Sequence, residues 1–131
     1  MAYYGEGMYT FALVFFAVCA ISNAVGIWAC ASGRVKMNSF LGIRTRLTRV
    51  NQETWRAGNA AAGRVVCIGS LAAAVVALWA LSVRDVPGLS PVPEYAAVGI
   101  LLATLWSGAK LANRAATHVL LRAEAGTTTL S

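Results

Sequence analysis

The residues with most chemistry to offer lie in one stretch, "NSFLGIRTRLTRVNQETWRAGN", which runs from Asn38 to Asn59. Arg44, Arg46, Arg49 and Arg56 carry permanent charge, and a planar guanidinium fork suits phosphate or the exposed carbonyls of a helix end. Trp55 offers a ring face to a cation. Thr45 and Thr48 can tie a turn to backbone amides, and Gly42 permits a positive φ or a close backbone approach. These are groups for recognition. Catalytic groupings are not evident: His118 is the sole histidine, and no Ser-His-Asp set, paired carboxylates or Cys/His cluster with metal-ligand spacing occurs. The sequence therefore predicts a non-enzymatic protein without cofactor or metal.

The elements that must position this stretch are apolar. The chain has 131 residues, 58% of them hydrophobic and 12% charged, against about 25% charged in a typical soluble domain. Charge is absent from Tyr9 to Gly33, from Val65 to Val83 and from Tyr95 to Ala109. A helix needs roughly 20 apolar residues to cross about 30 Å of hydrocarbon. The first two runs satisfy this, and Lys110 can extend the third by snorkelling its ammonium to the head groups. The start "MAYYGEG" holds an acid and no base, unlike the n-region of a cleaved signal peptide. We expect an all-α polytopic membrane protein, a single domain over 1–131, with spans at about 8–32, 64–83 and 94–113.

Charge placement orients these spans. Arg34, Lys36, Arg44, Arg46, Arg49, Arg56 and Arg64 oppose only Glu53 between spans one and two, whereas the segment before span one has Glu6 and no base. After span two, "RDVPGLSPVPE" has one base and two acids, and the C-terminal part has Lys110, Arg114 and Arg122 against Glu124. Positive residues stay inside, so the expected topology is N-terminus outside, basic loop and C-terminus cytoplasmic. The net charge of +6 then belongs to one membrane face and does not argue for nucleic acid. Tyr3, Tyr4, Tyr9, Trp79 and Tyr95 fall near the outer interface, and Trp28 and Trp106 near the inner one.

Local patterns refine this. Ser22, Gly26 and Cys30 repeat every fourth residue, as do Gly69 and Ala73, which points to close helix approach. Cys19, Cys30 and Cys67 read as packing residues rather than disulfide halves. Asn23 serves an interhelical hydrogen bond or a polar pathway. Three prolines and a glycine in "DVPGLSPVPE" forbid helix there, and Glu94 suits the start of span three. Beyond it, Lys110, Arg114, His118 and Arg122 share one helix face, an amphipathic extension lying on anionic lipid, or docking onto a cytoplasmic partner or the basic loop's own helix.

Within the basic stretch, Asn38, Ser39, Gly42, Thr45 and Thr48 disfavour helix up to Asn51. Asn51 or Thr48 then reads as the N-cap of a helix with Glu53 in its first turn, which carries Trp55, Asn59 and Ala62 on one face. Two readings stand for the first half: a structured re-entry loop, or plain topogenic charge. Arg44 would meet lipid phosphate, the span-one carbonyls or the Trp55 ring.

The ordered set Asn38, Gly42-Ile43-Arg44-Thr45, Thr48, Trp55 and Asn59 resembles the signature of the SdpI-type, immunity protein-like family of small integral membrane proteins. Where that family often has an aromatic and a proline after the Gly-Ile-Arg-Thr run, this chain has Arg46-Leu47. The resemblance implies toxin immunity or sequestration of a cytoplasmic regulator. The expected function is thus binding of a peptide toxin or a regulator through the basic inner face. An accessory role in a larger membrane complex is the alternative. Candidate partner- or lipid-binding residues are Asn38, Gly42, Ile43, Arg44, Thr45, Thr48, Trp55, Asn59, Lys110 and Arg114. Anionic membrane lipids are expected partners, and the small-residue faces leave a homo-oligomer open.

Overall fold

The computed structural model describes residues 3–86 and 91–128, and the side chains of 7–86 and 92–126 within them. Three helices follow in order: α1 (Tyr3–Ala31), α2 (Gln52–Val83) and α3 (Pro91–Thr128). All three hold stretches long and apolar enough to cross a membrane, at Gly7–Ala31, Gln52–Val83 and Val92–Gly126. No strand occurs among the described residues. The side chains of Tyr3, Tyr4 and Glu6 lie outside the described side chains, and the centre of the Pro-rich link and the end of the C-terminal tail lie outside the described residues.

Helix α2 is the middle member of an up-down-up bundle and packs against both α1 and α3. At one end, the Tyr9 hydroxyl donates to Glu94 Oε1, and Arg84 Nη1 donates to Thr10 Oγ1 at 3.0 Å. These bonds tie the start of α1, the end of α2 and the start of α3 together. The basic stretch therefore lies at the other end.

The interior is built of small side chains. Ala17, Ala20, Ala74, Ala77 and Ala97 form one buried cluster, and Ile27, Ala62, Val66 and Ala112 form another nearer the basic end. Lipid tails are as apolar as leucine, so close packing and interhelical hydrogen bonds hold such helices together. Both appear here. A side chain at Gly63 would collide with Ala31, and one at Gly69 with Thr104. Asn23 Nδ2 donates to Ser70 Oγ at 2.8 Å, between α1 and α2. Outside, large apolar side chains such as Phe11, Ile68 and Trp106 stand exposed around the bundle, a surface suited to acyl chains rather than water.

Two expectations need correction. The buried face of α1 runs through Leu13, Ala17, Ala20, Ala24, Ile27 and Cys30. Ser22 is exposed and only Gly26 and Cys30 of its predicted stripe are buried. A strict four-residue repeat drifts around a helix of 3.6 residues per turn, whereas alternating threes and fours stay on one face. Secondly, helix is not forbidden through the whole Pro-rich link, because α3 begins at Pro91 and includes Pro93. Proline fits a first helical turn, where its missing N–H has no partner to lose.

Candidate functional site: a clasped basic loop

Helix α1 ends at Ala31, and Gly33 follows with φ +74°, the left-handed conformation that turns a chain out of a helix. The chain then needs partners for its backbone amides up to Gln52. Side chains accept from seven of them, those of Met37, Phe40, Leu41, Ile43, Thr45, Thr48 and Asn51. Asn38 Oδ1 accepts from the Phe40 and Leu41 amides, both at 2.8 Å, and Asn38 Nδ2 donates to the Lys36 carbonyl at 2.9 Å. The Met37 amide donates to Gln52 Oε1 at 2.9 Å. The Ile43 amide donates to Asn59 Oδ1 at 2.8 Å, so α2 holds the loop from within.

Thr48 is the second clasp. Its hydroxyl accepts from the Thr45 amide and donates to the Ile43 carbonyl, each at 2.9 Å. Thr45 Oγ1 accepts from the Thr48 amide at 3.3 Å. Asn51 then caps α2: its Oδ1 accepts from the Thr54 amide at 2.8 Å, while Thr54 Oγ1 accepts from the Asn51 amide at 3.1 Å. This reciprocal pair is a capping box. It settles the N-cap on Asn51, with Glu53 in the first turn.

The loop also turns back along the bundle. Leu41 Cδ2 lies 3.1 Å from where a Cβ at Gly26 would be, about 7.5 Å inside the end of α1 at 1.5 Å per residue. Ile43 packs on the Ile27, Ala62, Val66 and Ala112 cluster. Of the two readings of this segment, the structured re-entry loop is the one observed. Gly42 makes the bend, with φ +88°, and a Cβ there would lie 2.7 Å from Asn59 Oδ1 and 2.8 Å from the Trp55 ring.

These contacts sort the candidate residues. Thr48, Trp55 and Asn59 are wholly buried, and Asn38, Gly42, Ile43 and Thr45 are half-buried. They shape the loop. Ile43 points into the core and Thr45 into the threonine clasp, so the side chain between them, Arg44, is left outside and exposed. Trp55 is thus not a stacking partner for Arg44. The cation–π pairs are elsewhere: Arg34 lies 4.5 Å over the Trp28 ring centroid, and Lys110 lies 5.0 Å over that of Trp106. Trp55 Nε1 is buried without a hydrogen-bond partner among the described residues. Lys110 and Arg114 are exposed on α3 with His118 and Arg122, one face as expected; they lie outside the clasp.

Electrostatically, the loop end is one-sided. Arg34, Lys36, Arg44, Arg46, Arg49, Arg56 and Arg64 are all exposed there with the segment's one acid, Glu53, and the Arg84–Asp85 ion pair is at the opposite end. No group of three His, Cys, Asp or Glu able to hold a metal occurs among the described residues. Sequence reasoning missed Gln52, Thr54 and Gly58. Thr54 could have been found as the N3 residue of a box opened by Asn51. Gly58 faces Thr48 and Ala112, which no local signal reveals.

Three membrane-length helices, closed at one end by a side-chain-clasped basic re-entry loop, define the class: a multi-pass membrane protein with a hydrogen-bonded, positively charged loop between its first two helices. A family model described as the SdpI/YfhL protein family matches residues 34–109, and the chain belongs to that family. The match takes in the loop, all of α2 and α3 as far as Ala109. No curated protein and no solved structure matches the chain.

Proposed function

We propose that this family member works without catalysis, by binding a partner at the basic face that its clasped loop presents to the cytoplasm. The observation that carries the reading is the division of labour within residues 38–59. The buried members fix the backbone, and Arg44 is held out with no hydrogen bond or ion pair among the described residues. Fixing a loop this firmly costs conformational entropy, and pre-ordering repays that cost when a ligand binds. Topogenic charge alone requires no such order.

The occupant is an acidic surface, on a peptide toxin or on a cytoplasmic regulator, drawn in within a Debye length of about 8 Å. The test is genetic and biochemical. Deletion should sensitise cells to a secreted peptide toxin or release a regulator from the membrane fraction. Arg44→Ala should fail to restore either phenotype at unchanged membrane abundance. Full rescue by Arg44→Ala, or deletion without either phenotype, removes the proposal.

A further inference from the structure

A cleft of about 350 Å³ opens between α1 and α2 at the basic end, away from the clasp, lined among others by Trp28, Ser32, Gly63, Arg64, Cys67 and Ile68. At Gly63, on its wall, the two helices approach so closely that a side chain there would collide with Ala31. The cleft changes character along its length. Arg64 and Ser32 line it towards the basic loop, and Arg34, beside the lining, stacks over the ring of Trp28, a wall residue, at 4.5 Å. Arg64 ends the charge-free run of α2, and Cys67 and Ile68 lie one turn further into that run. Trp28 and Ile68 are 51% and 67% exposed, so the cleft opens sideways to lipid.

We infer that this cleft binds one anionic glycerophospholipid, its phosphate between Arg34 and Arg64 and the first methylenes of an acyl chain against Cys67 and Ile68. Charge complementarity favours that occupant. Both guanidinium groups are exposed and neither has a carboxylate partner among the described residues. The acid of this segment, Glu53, stands about 16 Å earlier along α2 at 1.5 Å per residue. Guanidinium forks bind phosphate oxygens through charge-assisted hydrogen bonds, and basic pockets between membrane helices take such head groups. The volume is near the lower end of small-molecule sites, roughly 300–1,000 Å³. It admits a head group and the first carbons of a tail, with the remainder in the bilayer.

The full chain in nanodiscs of mixed phosphatidylglycerol and phosphatidylcholine tests this, with lipids retained after transfer to detergent counted by native mass spectrometry. One phosphatidylglycerol per chain is expected, in preference to phosphatidylcholine. The Arg34→Gln/Arg64→Gln pair should lower its retention by about tenfold or more, one lost charge-assisted contact being worth that much. Arg46→Gln/Arg49→Gln removes the same charge from exposed loop positions that do not line the cleft and should leave retention within about twofold of the parent. Ala60→Leu, at an exposed position on the cleft wall, fills the space without altering charge and should also expel the lipid. Equal retention of the two lipids, equal loss from both arginine pairs, or full retention by Ala60→Leu overturns the site. No protein partner enters the assay, so its failure leaves the proposed partner binding intact.

Discussion

The Asn59 side chain joins two backbone segments: its Oδ1 accepts the Ile43 amide at 2.8 Å, and its Nδ2 donates to the Trp55 carbonyl at 3.0 Å. One buried amide thus fastens the re-entry loop to the helix beneath it. Replacing Asn59 by Leu leaves the Ile43 N–H enclosed without an acceptor, a loss of about 1–3 kcal/mol. Thermal unfolding in mild detergent should show a clear fall in Tm. An unchanged Tm would mean that the loop is held by other contacts.

Gly42→Ala should be as damaging for a different reason. The new Cβ would have to occupy a left-handed backbone conformation, costing about 1–2 kcal/mol, and would press on the Trp55 ring and Asn59 Oδ1. The loop should lift away from α2. Limited trypsin digestion reads this directly: cleavage after Arg44, Arg46 and Arg49 should accelerate in the variant, while cleavage after Arg122 stays constant.

Thr48 has a hydroxyl role that Val cannot copy at equal shape. Thr48→Val leaves the Thr45 amide without its acceptor and the Ile43 carbonyl without its donor, for about 1–3 kcal/mol, whereas Thr48→Ser keeps both bonds. The valine variant should unfold at lower temperature than the serine variant. The reverse order would show that methyl packing against Gly58 matters more than the hydrogen bonds.

The Asn23–Ser70 bond between α1 and α2 should matter less. Interhelical hydrogen bonds in membranes average about 0.6 kcal/mol, because the separated helices find other partners. Ser70→Ala should therefore lower Tm by less than Thr48→Val does. A larger effect from Ser70→Ala would assign Asn23 a role beyond packing.

Arg44 should behave oppositely to its neighbours. Being exposed, Arg44→Ala should leave stability within about 0.5 kcal/mol while abolishing partner binding. Its side of the membrane can be read from Arg44→Cys in a background lacking Cys19, Cys30 and Cys67. A membrane-impermeant maleimide should modify it only after cells are opened; labelling of intact cells reverses the proposed orientation.

The sequence by itself determined the three helices, their antiparallel order and the charge asymmetry of the ends. Those properties follow from run length, from proline and glycine punctuation and from arginine placement, all of which act locally. It also showed that the segment before Asn51 is not helix, since Asn38, Gly42, Thr45 and Thr48 each favour turns. Only the tertiary structure decided which candidate residues touch each other. Asn59 and Ile43, sixteen positions apart, meet because the loop turns back over α2. Arg44 is exposed because its two neighbours are drawn inward. Gly63 and Ala31 meet because α1 and α2 approach closely at that one level. Contacts of this kind depend on helix rotation and depth, and a stripe such as Ser22, Gly26 and Cys30 does not fix rotation well enough to reveal them.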